Sequence, residues 1–197
     1  MGNPFDDAFE SVVKAEQDEV RHANIRETMA RQQAAHARSI AEPYLLSIAP
    51  AATSKLTSLR VEPITVKGAG RFSALSRRKR FWPIGATFNG PDGKISGMPG
   101  NMLCLTEDGF FSRNPRLGGQ EGFDDLVASA YLIPPSAGYG NVKYETPLCV
   151  EQGSDRVCVA FHDYDAADVQ EFAQYVANQV VKLERAARTG PLWGSEY

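Results

Sequence analysis

The chain has 197 residues with 21 Lys and Arg against 24 Asp and Glu, a formal net charge of −3, and 43% hydrophobic residues; these are ordinary globular proportions. Uncharged runs, such as Tyr44 to Ser54, fall short of the roughly 18 to 20 apolar residues that a membrane-spanning helix needs. The opening Met1 to Asp7 lacks the basic and apolar regions of a secretory signal, and Asp6 stands where a myristoylation pattern has Ser or Thr, so a cytoplasmic protein is expected.

Asn3 as N-cap, Pro4 at the first helical position and Asp6 in the first turn form a helix start signal. Six acids and one Lys fill Asp6 to Glu19, and four Arg with one Glu fill Arg21 to Arg38, the order that complements a helix macrodipole. With no Gly or Pro until Pro43, one helix is predicted from Pro4 to Ala41, about 55 Å long. Its apolar residues are sparse: Phe5, Phe9, Val12, Val13, Val20, Ile25, Met29, and then an alanine series. A 4-3 seam through Phe9, Val13, Glu16, Val20, Ala23, Glu27, Ala30, Ala34 and Ala37 is interrupted by two glutamates. The helix is expected either to lie along its own domain or to offer Phe5, Phe9, Val13 and Val20 as contacts for a partner or for self-association. His22 and His36 lie too far apart on the helix for one metal site and are expected to be exposed.

Residues 43–58, with Pro43 and Pro50, read as a short helical turn and a linker. The expected division is an arm and linker over 1–54, a β-rich domain with a C-terminal helix over 55–190, and a tail over 191–197. Charge is polarised along the chain: net −3 over 1–54, +7 over 55–80 and −7 over 81–197. The densest basic run, Arg77-Arg78-Lys79-Arg80, joins Arg71 as a candidate anion-binding surface for phosphate polymers or anionic lipid. A solvated loop or internal ion pairing is the alternative. Trp82, directly after this run, is a further candidate partner contact.

Gly, Pro, Asn-Gly and Asp-Gly punctuation then separates short apolar runs, predicting antiparallel strands at 59–66, 81–89, 101–106, 109–113, 128–133, 142–150 and 156–162. A turn at Gly153-Ser154 would pair Cys149 with Cys158 and Val150 with Val157. The valines would then form the core face, with Cys149 and Cys158 as a cross-strand pair of half-buried thiols on the other. Pro147 would make its strand an edge, or bulge it. Val169, Phe172, Ala173, Val176, Val180, Leu183 and Ala187 predict an amphipathic helix capped by Asp163 or Asp165 and stopped by Gly190 and Pro191.

The chemistry-bearing signals are few. Nucleotide-binding, zinc-protease and esterase motifs do not occur, and the three Cys and three His have no zinc-ligand spacing. Accordingly no catalytic residue, metal or cofactor is assigned. Cys104 reads as core and Glu107-Asp108-Gly109 as a hairpin turn, with His162 and Asp163 near a helix cap.

The fold class is therefore α+β: a long N-terminal helix, then an antiparallel sheet or partly open barrel of about seven strands, closed by a C-terminal helix. Over residues 59–188 this element order is similar to the pleckstrin-homology-like superfold, which implies a module that binds peptides, proteins or phosphorylated lipids. The leading expectation is a non-enzymatic interaction or scaffold protein acting through the β-domain and N-terminal helix. Nucleic-acid or anionic-lipid binding through 55–80 is the second. An enzyme whose residues, Cys104, Glu107, His162 or Asp163, converge only in three dimensions is the third.

Overall fold

A computed structural model describes residues 4–66, 79–85, 88–89, 94–95, 103–114, 117, 119–133, 148–163 and 166–190. Its first element, α1 (Pro4–Ser58), is a single 55-residue helix, about 80 Å long. The helix passes the expected stop at Ala41 and contains both Pro43 and Pro50, so the expected linker at 43–58 is helix instead. Each interior proline costs about 3 kcal/mol relative to alanine. Both prolines are exposed, as are Ser39 and Leu46 four residues before them, so the carbonyls freed of their helical donors open toward water. On the opposite side Ala37, Ala41, Leu45, Ala49, Ala52 and Leu56 are all buried. Their spacing of four, four, four, three and four residues gives one continuous stripe, and its burial holds the helix through the prolines.

The expected α+β class is present, but the strands form two four-stranded sheets and a small hairpin, with no closed barrel among the described residues. The first sheet has the order β1-β2-β5-β6 and is wholly antiparallel, built from β1 (Ile64–Val66), β2 (Lys79–Trp82), β5 (Cys104–Thr106) and β6 (Phe111–Ser112). Between them β3 (Phe88–Asn89) and β4 (Lys94–Ile95) make the separate hairpin. In the second sheet, of order β10-β9-β8-β7, are β7 (Tyr131–Ile133), β8 (Leu148–Glu151), β9 (Val157–Asp163) and β10 (Ala166–Glu171). Here β7 runs parallel to β8, which departs from the all-antiparallel expectation. It also makes β8 an inner strand, so the edge expected from Pro147 is taken by β7; Pro147 itself lies outside the described residues.

The hairpin register holds as expected: Leu148 faces Val159, Cys149 faces Cys158 and Val150 faces Val157. The turn is longer than two residues, since Glu151 N–H donates to Arg156 O at 2.9 Å and Asp155 N–H to Glu151 O at 3.0 Å. Gly153 and Asp155 take the left-handed conformation in this loop, at φ 88° and 54°.

Two helices complete the core. Helix α2 (Gly119–Ala128) is not signalled by its residues, because its glycines resemble a loop and its end overlaps the strand expected at 128–133. Phe123, Leu126 and Val127 nonetheless form its buried face. Gly122 is there for contact: a Cβ at this position would lie 2.3 Å from Ser112 Oγ and 2.6 Å from the Leu117 carbonyl. The C-terminal helix α3 (Phe172–Arg188) begins later than expected. Residues 166–171 pair with β9 as strand β10, so Asp163 ends a strand, Asp165 lies outside the described residues, and Glu171 is the N-cap without a side-chain cap bond. Period-three spacing from Val169 to Phe172 also fits a strand followed by a helix, and the seven-residue β9 supplies the backbone partners that decide for the strand.

Around α1 the elements converge: it touches β7, β8 and β9 of one sheet, β5 of the other, and both α2 and α3. Leu45→Ala should therefore destabilise the fold by about 2 to 5 kcal/mol. Gly122→Ala, a change that stabilises an ordinary helix interior, should here lower the unfolding midpoint, as urea denaturation of both variants would measure.

Candidate interaction site

The first half of α1 leaves the domain. Its described side chains up to Gln33 are exposed except Val13, which is half-buried, and the buried stripe begins only at Ala37. Residues 4–33 thus form an arm about 45 Å long. Local energetics sustain it as a helix without tertiary support. Ala, Arg, Glu and Gln are strong helix formers, the length exceeds the roughly 12 to 15 residues below which isolated helices are marginal, and Glu27 pairs with Arg31 one turn on at 2.5 Å.

Apolar side chains are exposed along this arm: Phe5 at 69%, Phe9 at 59%, Val12 at 65% and Val20 at 56%. At 100° per residue, Phe5, Phe9, Val12, Val13, Val20, Ala23, Ala30 and Ala34 fall on the same side of α1 as Ala37, Ala41, Leu45 and Leu56. The face that packs α1 into its domain therefore continues uncovered along the arm, interrupted there by Glu16 and Glu27. Ile25 and Met29, also exposed, lie on the opposite side. The Phe5 ring stacks 6.3 Å from that of Phe9. His22 and His36 are exposed, as expected.

The other predicted residues are placed elsewhere. Trp82 is only 2% exposed and donates from Nε1 to the Val61 carbonyl at 2.8 Å, so it is a core residue and leaves the set of partner contacts. Phe81 is buried as well, although alternation predicts one inward ring of the two. In the basic run, Arg80 pairs with Glu107 at 2.7 Å across the first sheet, Lys79 opens β2, and Arg71, Arg77 and Arg78 lie outside the described residues.

Cys149 and Cys158 face each other across β8 and β9, fully buried and free. They form a small cluster with Ile133, against which Tyr131 and Val169 pack, so the thiols are more deeply covered than expected. Burial, aided by the neighbouring Cys158 and Glu151, pushes the Cys149 thiol up to about 12. Burial raises Cys158 too, against the opposing effect of Arg156. Cys104, donating to the Ser112 carbonyl at 3.2 Å, is likewise pushed up to about 12 by burial. Protonated buried thiols are poor nucleophiles.

A second concave surface was not signalled by the sequence. It measures about 470 Å³ and lies between β10 and α3, lined by Gln170, Tyr175, Asn178, Gln179, Lys182 and Arg185. Gln179 is buried there and its Oε1 has no hydrogen-bond partner among the described residues, whereas Tyr175 OH donates to the Ile84 carbonyl at 3.0 Å. Nothing in its i, i+4 spacing on an amphipathic helix distinguishes such a groove from a solvated flank. Among the described residues no group of three His, Cys, Asp or Glu could hold a metal ion, and no helix is long and apolar enough to cross a membrane. Comparison with protein-family models, curated proteins and solved structures found no match.

The raised thiols fix a pH dependence. A cysteine whose folded pKa lies above its ordinary value of 9 stabilises the fold fully below pH 9 and loses that contribution as pH rises toward about 12. Urea midpoints should therefore fall through this alkaline window, with Tyr175, also pushed up to about 12 by burial, adding to the fall. In Cys149→Ala the midpoint at neutral pH should be lower and the alkaline fall shallower. Native protein should react with an aromatic disulfide reagent far more slowly than unfolded protein.

Proposed function

We propose that this protein is a non-catalytic interaction protein whose α1 arm is its attachment element. The single observation that carries this reading is the exposed apolar face of residues 4–33, continuous with the face that α1 buries in its own domain. Isolated surface apolar residues are ordinary, but a row of them on one side of a projecting helix is a docking surface for another helix or a groove. The domain end of α1 supplies the rigidity: Arg38 donates to the Ala128 carbonyl at the end of α2 at 2.9 Å, and Tyr44 packs edge-on against Phe172 at 6.5 Å. The arm is therefore held at a fixed base rather than tethered by a flexible linker.

The test is a triple substitution, Phe9→Glu, Val13→Glu and Val20→Glu, in the full chain. The unfolding midpoint of the domain should be unchanged, because none of these side chains is buried in it. Association, with itself or with partners in an extract of the cells that make it, should be lost. Association that survives the triple substitution would refute the reading.

A second reading, binding of nucleic acid or anionic lipid through 55–80, draws on the +7 charge of that segment. Its test is a salt titration against labelled DNA, RNA and anionic vesicles. Affinity should fall steeply with salt and vanish on Arg77→Ala, Arg78→Ala and Lys79→Ala if the segment meets phosphates.

A further inference from the structure

The geometry points to a second copy of this chain as the occupant of the arm, with the two arms packed antiparallel; this rests on the proposed role of the arm as an attachment element. Charge argues for both the copy and the direction. The arm carries six acids and one Lys from Asp6 to Glu19, then four Arg and one Glu from Arg21 to Arg38. Parallel pairing would set acid against acid and Arg against Arg. Antiparallel pairing sets the acidic half of each copy against the basic half of the other, so the arm is complementary to itself.

Size gives the same direction. The bulky seam residues Phe9, Val13 and Val20 lie in or near the acidic half, and the seam beyond them is alanine at 23, 30 and 34. An antiparallel pair centred between Val20 and Ala23 places Phe9 opposite the second copy's Ala34, Val13 opposite its Ala30, and Val20 opposite its Ala23. A large residue then meets a small one in each of these layers, which keeps the helix spacing even along the seam.

The same register brings Glu10 beside the second copy's Arg31 and Glu19 beside its Arg26, and symmetry doubles both pairs. One layer is polar: Glu16 opposes the second copy's Glu27, which its own Arg31 partly neutralises at 2.5 Å. A polar layer of this kind fixes register at a cost in affinity. The free length also fits, because the paired stretch ends at Ala34 and the buried stripe of the domain begins at Ala37.

Sedimentation equilibrium of the full chain should give a dimer. Arg26→Glu with Arg31→Glu should weaken it about tenfold or more, as should Glu10→Arg with Glu19→Arg. An equimolar mixture of the two variants should restore a heterodimer, and Glu16→Leu with Glu27→Leu should tighten the dimer. Direction is read by pulsed electron paramagnetic resonance of spin labels at Ser11→Cys and at His22→Cys, the native thiols being buried. Antiparallel arms separate the two labels at position 11 by about 30 Å and bring those at position 22 together, whereas parallel arms bring both pairs together.

A monomer throughout the accessible concentration range, or short distances at both positions, would overturn the inference. In the monomer case, loss of a heterologous partner on the Phe9, Val13 and Val20 substitutions would leave the attachment role standing. A dimer indifferent to every arm substitution would overturn both the inference and that role.

Discussion

Burial of one stripe of α1 is the constraint on which the rest of the molecule depends. Ala37, Ala41, Leu45, Ala49, Ala52 and Leu56 are all buried, and both sheets and both shorter helices meet this one helix. Four of the six are alanines, which let neighbouring backbones approach closely. The two leucines join Trp82, Leu105 and Phe111 of one sheet's side and Val150 and Val159 of the other's in the same core. Because each sheet has only four short strands, neither could bury a full face alone. The helix serves as their common floor, and its second half, from Ala37 to Leu56, is the long-range contact that joins them.

That arrangement explains which parts of the fold were legible from the residues and which were not. The register of the β8–β9 hairpin was readable, though not its turn, because its period of two is a local signal, and a register slip would have put Cys149 and Cys158 on the valine face. The face of α3 was readable for the same reason, since Phe172, Val176, Val180 and Leu183 repeat at helical spacing. The continuation of α1 was not, because prolines at 43 and 50 are local stop signals whose cost is met by a tertiary stripe that no local window sees. Strand β10 and helix α2 failed similarly. In one case Asp163 and Asp165 imitate a helix cap where β9 offers backbone pairing, and in the other three glycines imitate a loop where close approach to Ser112 demands one of them.

The candidate site divides along the same line. The helical state of the arm was legible from its charge order, but its exposure was not: sparse apolar residues fit a helix lying along its own domain as well as the projecting one that the structure shows. Burial of both Phe81 and Trp82 was not legible either, because strand alternation puts only one of two neighbouring rings inward, whereas Val61 accepts the Trp82 indole N–H at 2.8 Å and holds the second ring in the core as well. Likewise Arg80 looks like part of an anion site until Glu107, in the turn directly after the strand paired with its own, is seen to hold it. Cross-strand neighbours of distant sequence number decide such cases, and a linear reading cannot supply them.

Continuity of one helical face from a core into solvent imposes a definite asymmetry along α1. Inside the domain the stripe is apolar throughout and its cost of desolvation is already met, so substitutions there act on folding. Along the arm the same face alternates bulky apolar residues, alanines and the two glutamates, a composition too polar to collapse onto its own domain and too apolar to be indifferent to a matching surface. The charge order adds a direction to that surface, because a helix acidic at its start and basic beyond its middle is stabilised along its own dipole and matched to its own reverse. One sequence feature thus favours the helix when the arm is alone and, in the pairing proposed above, would set its direction.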